Sequence, residues 1–131
     1  MRTSVLVDDE AAGRSPEVFF DGHPDALLVY QRVRSTVASL GPFEVRVTKA
    51  QVSFRRRRGF AYLWLPGTWL SKPAAEVVLS IATDHRIGSE RFKQVVHPSE
   101  RTWMHHLEVR SLEELDEEVV AWLADAWRNA W

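Results

Sequence analysis

At 131 residues, with 45% hydrophobic and 27% charged side chains, the chain has room for one hydrophobic core but not two, and it is too apolar for wholesale disorder. It has no cysteine, which excludes disulfides, thiolate metal sites and thiol nucleophiles. The formal net charge of −1 conceals a segregation, since residues 43–110 carry 12 Lys or Arg against 6 Asp or Glu while residues 111–131 carry 1 against 6. A basic middle can attract nucleic acid or an anionic ligand, and an acidic end beside it can cancel part of that field. No apolar stretch reaches the length of a membrane span, and the first ten residues lack the apolar core of a signal peptide. A cytoplasmic protein with no membrane partner is the expectation.

In chain order, residues 1–15 show little periodicity and are expected to form a flexible N-terminal arm, with residues 16–131 as a single α+β domain. Ser15 and Pro16 suit the start of a short helix that ends near Gly22. Pro24 then opens a longer one, whose Leu27, Tyr30, Val33, Val37 and Leu40 recur at spacings of three and four before Gly41 and Pro42. Phe43, Val45 and Val47 alternate as a half-buried strand. Val52 and Phe54 have the opposite parity, which requires a turn or bulge near Lys49, Ala50 and Gln51. After the arginine run, Gly59 suits a hairpin reversal. Residues 60–65 then form a strand with Phe60, Tyr62 and Trp64 on one face and Ala61, Leu63 and Leu65 on the other. Both faces are apolar, so the strand either lies at a covered sheet centre or displays an aromatic platform.

Residues 76–82 are rich in β-branched side chains and read as a buried strand, residues 92–96 as another, and residues 103–109 as a third with one apolar face. Ser111 and Glu114 have the spacing of a capping box. They precede a C-terminal helix whose stripe of Leu112, Leu115, Val119, Leu123, Ala126 and Trp127 should dock on the sheet. The expected architecture is α+β, with N-terminal helices, a mainly antiparallel sheet and a C-terminal helix packed on it.

Three patterns bear on function. Residues 58–65 nearly match the aromatic contact motif of the RNA recognition module, with Phe60 and Tyr62 at the stacking positions and Arg55, Arg56, Arg57 and Arg58 available for phosphates. Residues 18–22 match its second motif in part. That module, however, needs a helix where residues 76–82 read as a strand. His105 and His106 are adjacent and point to opposite faces of a strand, so they cannot easily share a metal ion. His105 falls on the apolar face as a neutral core histidine, and His106 faces solvent. Finally, no nucleophile elbow, phosphate loop or zinc-protease histidine pair is present. The cluster of Glu113, Glu114, Asp116, Glu117 and Glu118 reads as a solvated helix face.

Lys49, Val52, Phe54, Arg57, Phe60 and Ala61, followed downstream by His105-His106, Leu115-Asp116, Trp122-Leu123 and Ala126-Trp127, resemble the bacterial domain-of-unknown-function family numbered 5655. The likeness covers about residues 16–130, with Trp127 standing where a tyrosine is usual. It implies an α+β domain with an antiparallel sheet, implies no activity, and suggests Lys49, Arg57 and His106 as polar candidates.

The leading expectation is a non-enzymatic module for a small anionic or aromatic ligand or a protein partner, using Lys49, Arg57, Tyr62, Trp64 and His106. The alternative is RNA or single-stranded nucleic acid on Arg55, Arg56, Arg57, Arg58, Phe60 and Tyr62, and an enzyme ranks third. No cofactor and no metal are expected.

Overall fold

The apolar periods resolve into one mixed sheet with its helices on one face. In the computed structural model, which describes residues 5–8, 15–68 and 75–131, seven strands lie in the order β1-β2-β3-β4-β5-β7-β6. The strands are β1 (Val5–Asp8), β2 (Phe43–Val47), β3 (Val52–Arg55), β4 (Gly59–Trp64), β5 (Val77–Thr83), β6 (Gln94–Ser99) and β7 (Thr102–Val109). The helices are α1 (Pro16–Phe19), α2 (Pro24–Leu40) and α3 (Glu117–Asn129). Every neighbouring pair is antiparallel except β1 and β2, which are parallel. The α+β class, the mainly antiparallel sheet and the C-terminal helix packed on it are therefore as the sequence implied. β1 falls within the segment expected as an arm, whose remaining residues before Ser15 lie outside the described residues. No helix among the described residues is long and apolar enough to cross a membrane.

One side of the sheet is the core. Val45, Val47, Val52, Phe54, Leu63, Leu79, Ile81 and Leu107 are buried there together with Val29, Tyr30, Val33 and Val37 of α2 and Val119, Leu123 and Ala126 of α3. α3 packs across β4 and β5 and against α2. All seven residues of β5 are buried, which accounts for its mainly apolar sequence at the middle of a sheet. β5 also pairs antiparallel with β4 directly, as consecutive strands of the seven-stranded order.

Two local features depart from the sequence reading. Ser111 and Glu114 do not cap α3: Leu112–Glu114 is a 3-10 turn, Ser111 makes no side-chain cap bond, and Glu114 Oε1 accepts from the Arg110 N–H at 2.7 Å. The cap is Asp116, whose carboxylate accepts from the Val119 N–H at 3.2 Å while Arg91 holds it at 3.0 Å. A carboxylate satisfies the free amides and favours the positive end of the helix.

The second departure is a bulge. Phe54 pairs with Ala61 but Arg55 with Gly59, leaving Phe60 as the extra residue of β4. The extra residue breaks strict alternation, and Phe60 and Ala61 are both buried, at 1% and 0% exposure. The common face expected for Phe60, Tyr62 and Trp64 is thus split. Phe60 joins the core, and only Tyr62 and Trp64 remain half-buried on the opposite side.

Candidate functional site

The face of the sheet turned away from the helices carries a cleft of about 420 Å³, lined by Ala50, Gln51, Tyr62, Trp64, Ser80, Met104 and His106. Strand register brings these residues together. Tyr62 pairs with Ser80 and Ser80 with His106, so the three form one row across β4, β5 and β7. Trp64 and Met104 lie two positions from Tyr62 and His106 on the same side of their strands, as the period of two requires. The β2–β3 turn supplies the rim, where Thr48 Oγ1 accepts from the Ala50 and Gln51 N–H groups at 3.2 Å each.

A hydrogen-bonded chain runs through the floor. Trp64 Nε1 donates to Ser80 Oγ at 2.9 Å, and Ser80 Oγ lies 2.6 Å from His106 Nδ1. The indole and imidazole meet edge to face, with centroids 6.0 Å apart at 87°. Indole N–H can only donate, so Ser80 accepts from Trp64 and keeps a single proton to give. His106 Nδ1 lies within its reach. With that proton given to Nδ1, the ring proton of His106 lies on Nε2; the second lone pair of Ser80 Oγ equally fits an Nδ1–H donor. Burial, and secondarily the neighbouring His105, hold His106 below its ordinary value of 6.5, which favours the neutral imidazole at neutral pH.

Tyr62 is positioned by a missing side chain. A Cβ at Gly59 would collide with the Tyr62 hydroxyl, so glycine at the start of β4 leaves the phenol room to lie along the face. Burial raises the Tyr62 phenol above its ordinary value of 10.0, with Arg55 pulling the other way. The phenol stays protonated.

Of the residues singled out in the sequence, Tyr62, Trp64 and His106 line the cleft together. Lys49 is exposed in the turn whose next two residues form the rim. Arg57 does not join them. It lies in the turn at the opposite end of β3, exposed, with its backbone N–H donating to Ala130 O at 3.1 Å.

Two others of the run, Arg56 and Arg58, reach the end of α3, while Arg55 lies near enough to Tyr62 to act on its phenol. Arg56 donates to Trp127 O at 3.0 Å and Arg58 to Asn129 O at 2.6 Å. The last carbonyls of a helix lack partners within it and carry partial negative charge, which is what a guanidinium satisfies. With Phe60 in the core as well, the groups proposed for nucleic acid do not form one surface. Ser80, Gln51 and Met104 were not anticipated. Ser80 had a signal, being a lone hydroxyl in the apolar run of β5 at the parity of the outer face.

His105 occupies the other side of β7. It is fully buried, donating from Nδ1 to Ile81 O at 3.0 Å and accepting from the Ile87 N–H at Nε2 at 2.9 Å.

The fold and the cleft define a class: one α+β sheet with helices on one face and an aromatic concavity on the other. The chain belongs to the family described as Domain of unknown function (DUF5655), whose model matches residues 16–130. No curated protein and no solved structure matches it.

Proposed function

We propose that the domain is a non-enzymatic binding module that takes a small aromatic or anionic ligand into the outer-face cleft. The observation that carries this reading is the convergence of Tyr62, Trp64 and His106 around Ser80 in a concavity of about 420 Å³. That volume falls in the range of roughly 300–1,000 Å³ typical of small-molecule sites, which pair apolar walls with a few placed polar groups. Lys49, exposed in the turn beside the rim, adds a positive charge. The aromatic walls suit a planar body, and the lysine suits an anionic substituent.

The enzyme reading draws less support. A hydroxyl bonded to an imidazole is how a serine nucleophile is activated, but Ser80 is 2% exposed and its oxygen already accepts from Trp64. The nucleic-acid reading is weakened by the burial of Phe60 and by the docking of Arg56 and Arg58 on α3.

Titration of the isotope-labelled protein with naphthoate, followed by amide and indole NMR, tests the proposal. Shifts should concentrate on Gln51, Tyr62, Trp64, Ser80 and His106 and be lost in folded Trp64→Ala. Shifts centred elsewhere, or none, overturn it.

A further inference from the structure

Resting on that reading, we infer that the cleft selects ligands presenting a hydrogen-bond acceptor, a carbonyl or carboxylate on a planar ring, to the Nε2–H of His106. The inference follows from proton counting. Trp64 Nε1 has only a proton to offer and Ser80 takes it at 2.9 Å. In the assigned arrangement the Ser80 proton points to His106 Nδ1 at 2.6 Å, and the imidazole keeps its own proton on the other nitrogen. Nε2 has no hydrogen-bond partner among the described residues, and His106 is half-buried in the wall of the cleft. Tyr62 and Gln51 bring further polar groups to the cleft, but the Nε2–H of His106 is the donor whose direction the Trp64–Ser80–His106 chain sets.

Recognition by a pre-oriented donor is selective in sign. An acceptor on the ligand completes the chain Trp64 to Ser80 to His106 to ligand, all four groups running in one direction. A donor in the same place meets N–H against N–H and leaves both unsatisfied. Ser80 acts here as a positioning residue: it touches the imidazole, and through it determines which nitrogen carries the proton. Lys49 reinforces an anionic acceptor but does not create the preference, because its charge is flexible and exposed.

Three probes of one shape separate these effects: acetonaphthone as a neutral acceptor, ethylnaphthalene as its counterpart without one, and naphthylmethylammonium as a donor. The full-length protein should bind acetonaphthone about tenfold more tightly than ethylnaphthalene, the ratio expected of one well-made hydrogen bond, and the ammonium most weakly. His106→Phe keeps an aromatic wall without the donor and should abolish the ratio. Ser80→Ala should reduce it.

Nitrogen NMR of the ligand-free wild-type ring supplies a readout independent of variants, with Nε2 protonated and Nδ1 bare as the expected result. The opposite tautomer, or a ketone and a hydrocarbon that bind equally, overturns the acceptor preference and leaves the cleft reading standing. If none of the three probes binds at about millimolar concentration, the cleft reading fails and this inference fails with it.

Discussion

Arg56 lies flat over the indole of Trp127, its guanidinium carbon 3.6 Å from the ring centroid, and donates to that same residue's carbonyl at 3.0 Å. A second indole, Trp131, lies 5.0 Å away. One side chain thereby ties the β3–β4 turn to the end of α3 through a cation–π contact and a charge-assisted hydrogen bond.

Removing that tie should loosen the helix end. Arg56→Ala is expected to cost about 1–2 kcal/mol in denaturant unfolding, and Arg56→Lys most of the same amount, because an ammonium cannot stack its plane on the ring. Arg57→Ala, whose exposed guanidinium stands 6.0 Å from Trp131, should change stability far less. Equal effects at the two positions would contradict this assignment.

Gly41 ends α2 with φ of +149°, a region that side chains rarely adopt, and a Cβ there would come within 2.5 Å of the Trp127 ring. That ring is itself held by its Nε1–H donating to Pro42 O at 3.0 Å. Gly41→Ala therefore combines backbone strain with displacement of an indole, and a loss of about 1–3 kcal/mol is expected. A variant melting at the wild-type temperature would show that the helix end rearranges freely.

The histidines should titrate in opposite senses. His105 is held below 6.5, chiefly by burial, so the unfolded chain takes up its proton first. Its contribution to stability is complete above that value and is lost as pH falls from there through the folded midpoint. His85 is raised above 6.5, first by its hydrogen bond to Asp84 and then by Asp125. What it contributes is present below the unfolded value and lost as pH rises through its folded midpoint. Ring NMR titrations should place the midpoint of His85 above 6.5 and that of His105 below it. His85→Gln should destabilise at pH about 5.5 and have no effect at pH about 8.5.

Phe60 separates packing from stacking. With 1% exposure in the core, Phe60→Ala should cost about 3–5 kcal/mol of stability. Mixed-sequence RNA should bind weakly, and Tyr62→Ala should leave that binding unchanged. Fluorescence anisotropy at low and high salt, beside melting curves, measures both. Tight, salt-dependent binding lost in a folded Tyr62→Ala protein would favour the nucleic-acid reading instead.

By itself the sequence determined what depends on local pattern. The three-and-four spacing of Tyr30, Val33 and Val37 gave α2 its buried face, and the β-branched run around Leu79 and Ile81 marked the strand that ends up buried along its whole length. Parity put Tyr62 and Trp64 on one face of their strand and His106 opposite the apolar face of its own. Tertiary structure alone decided what those faces meet. The bulge at Phe54 and Arg55 sent Phe60 inward, since one extra residue in a ladder reverses parity and no local preference signals where the ladder will gain it.

The arginine run, conspicuous as a charge block, became a cap for α3, whose free carbonyls lie some seventy residues away in sequence. Ser80 drew little notice in its strand, because a hydroxyl there gains meaning only when register sets it between Trp64 on one neighbour and His106 on the other. Sheet order and register are long-range choices, governed by how the whole core packs, and the candidate site is assembled from residues that only those choices bring together.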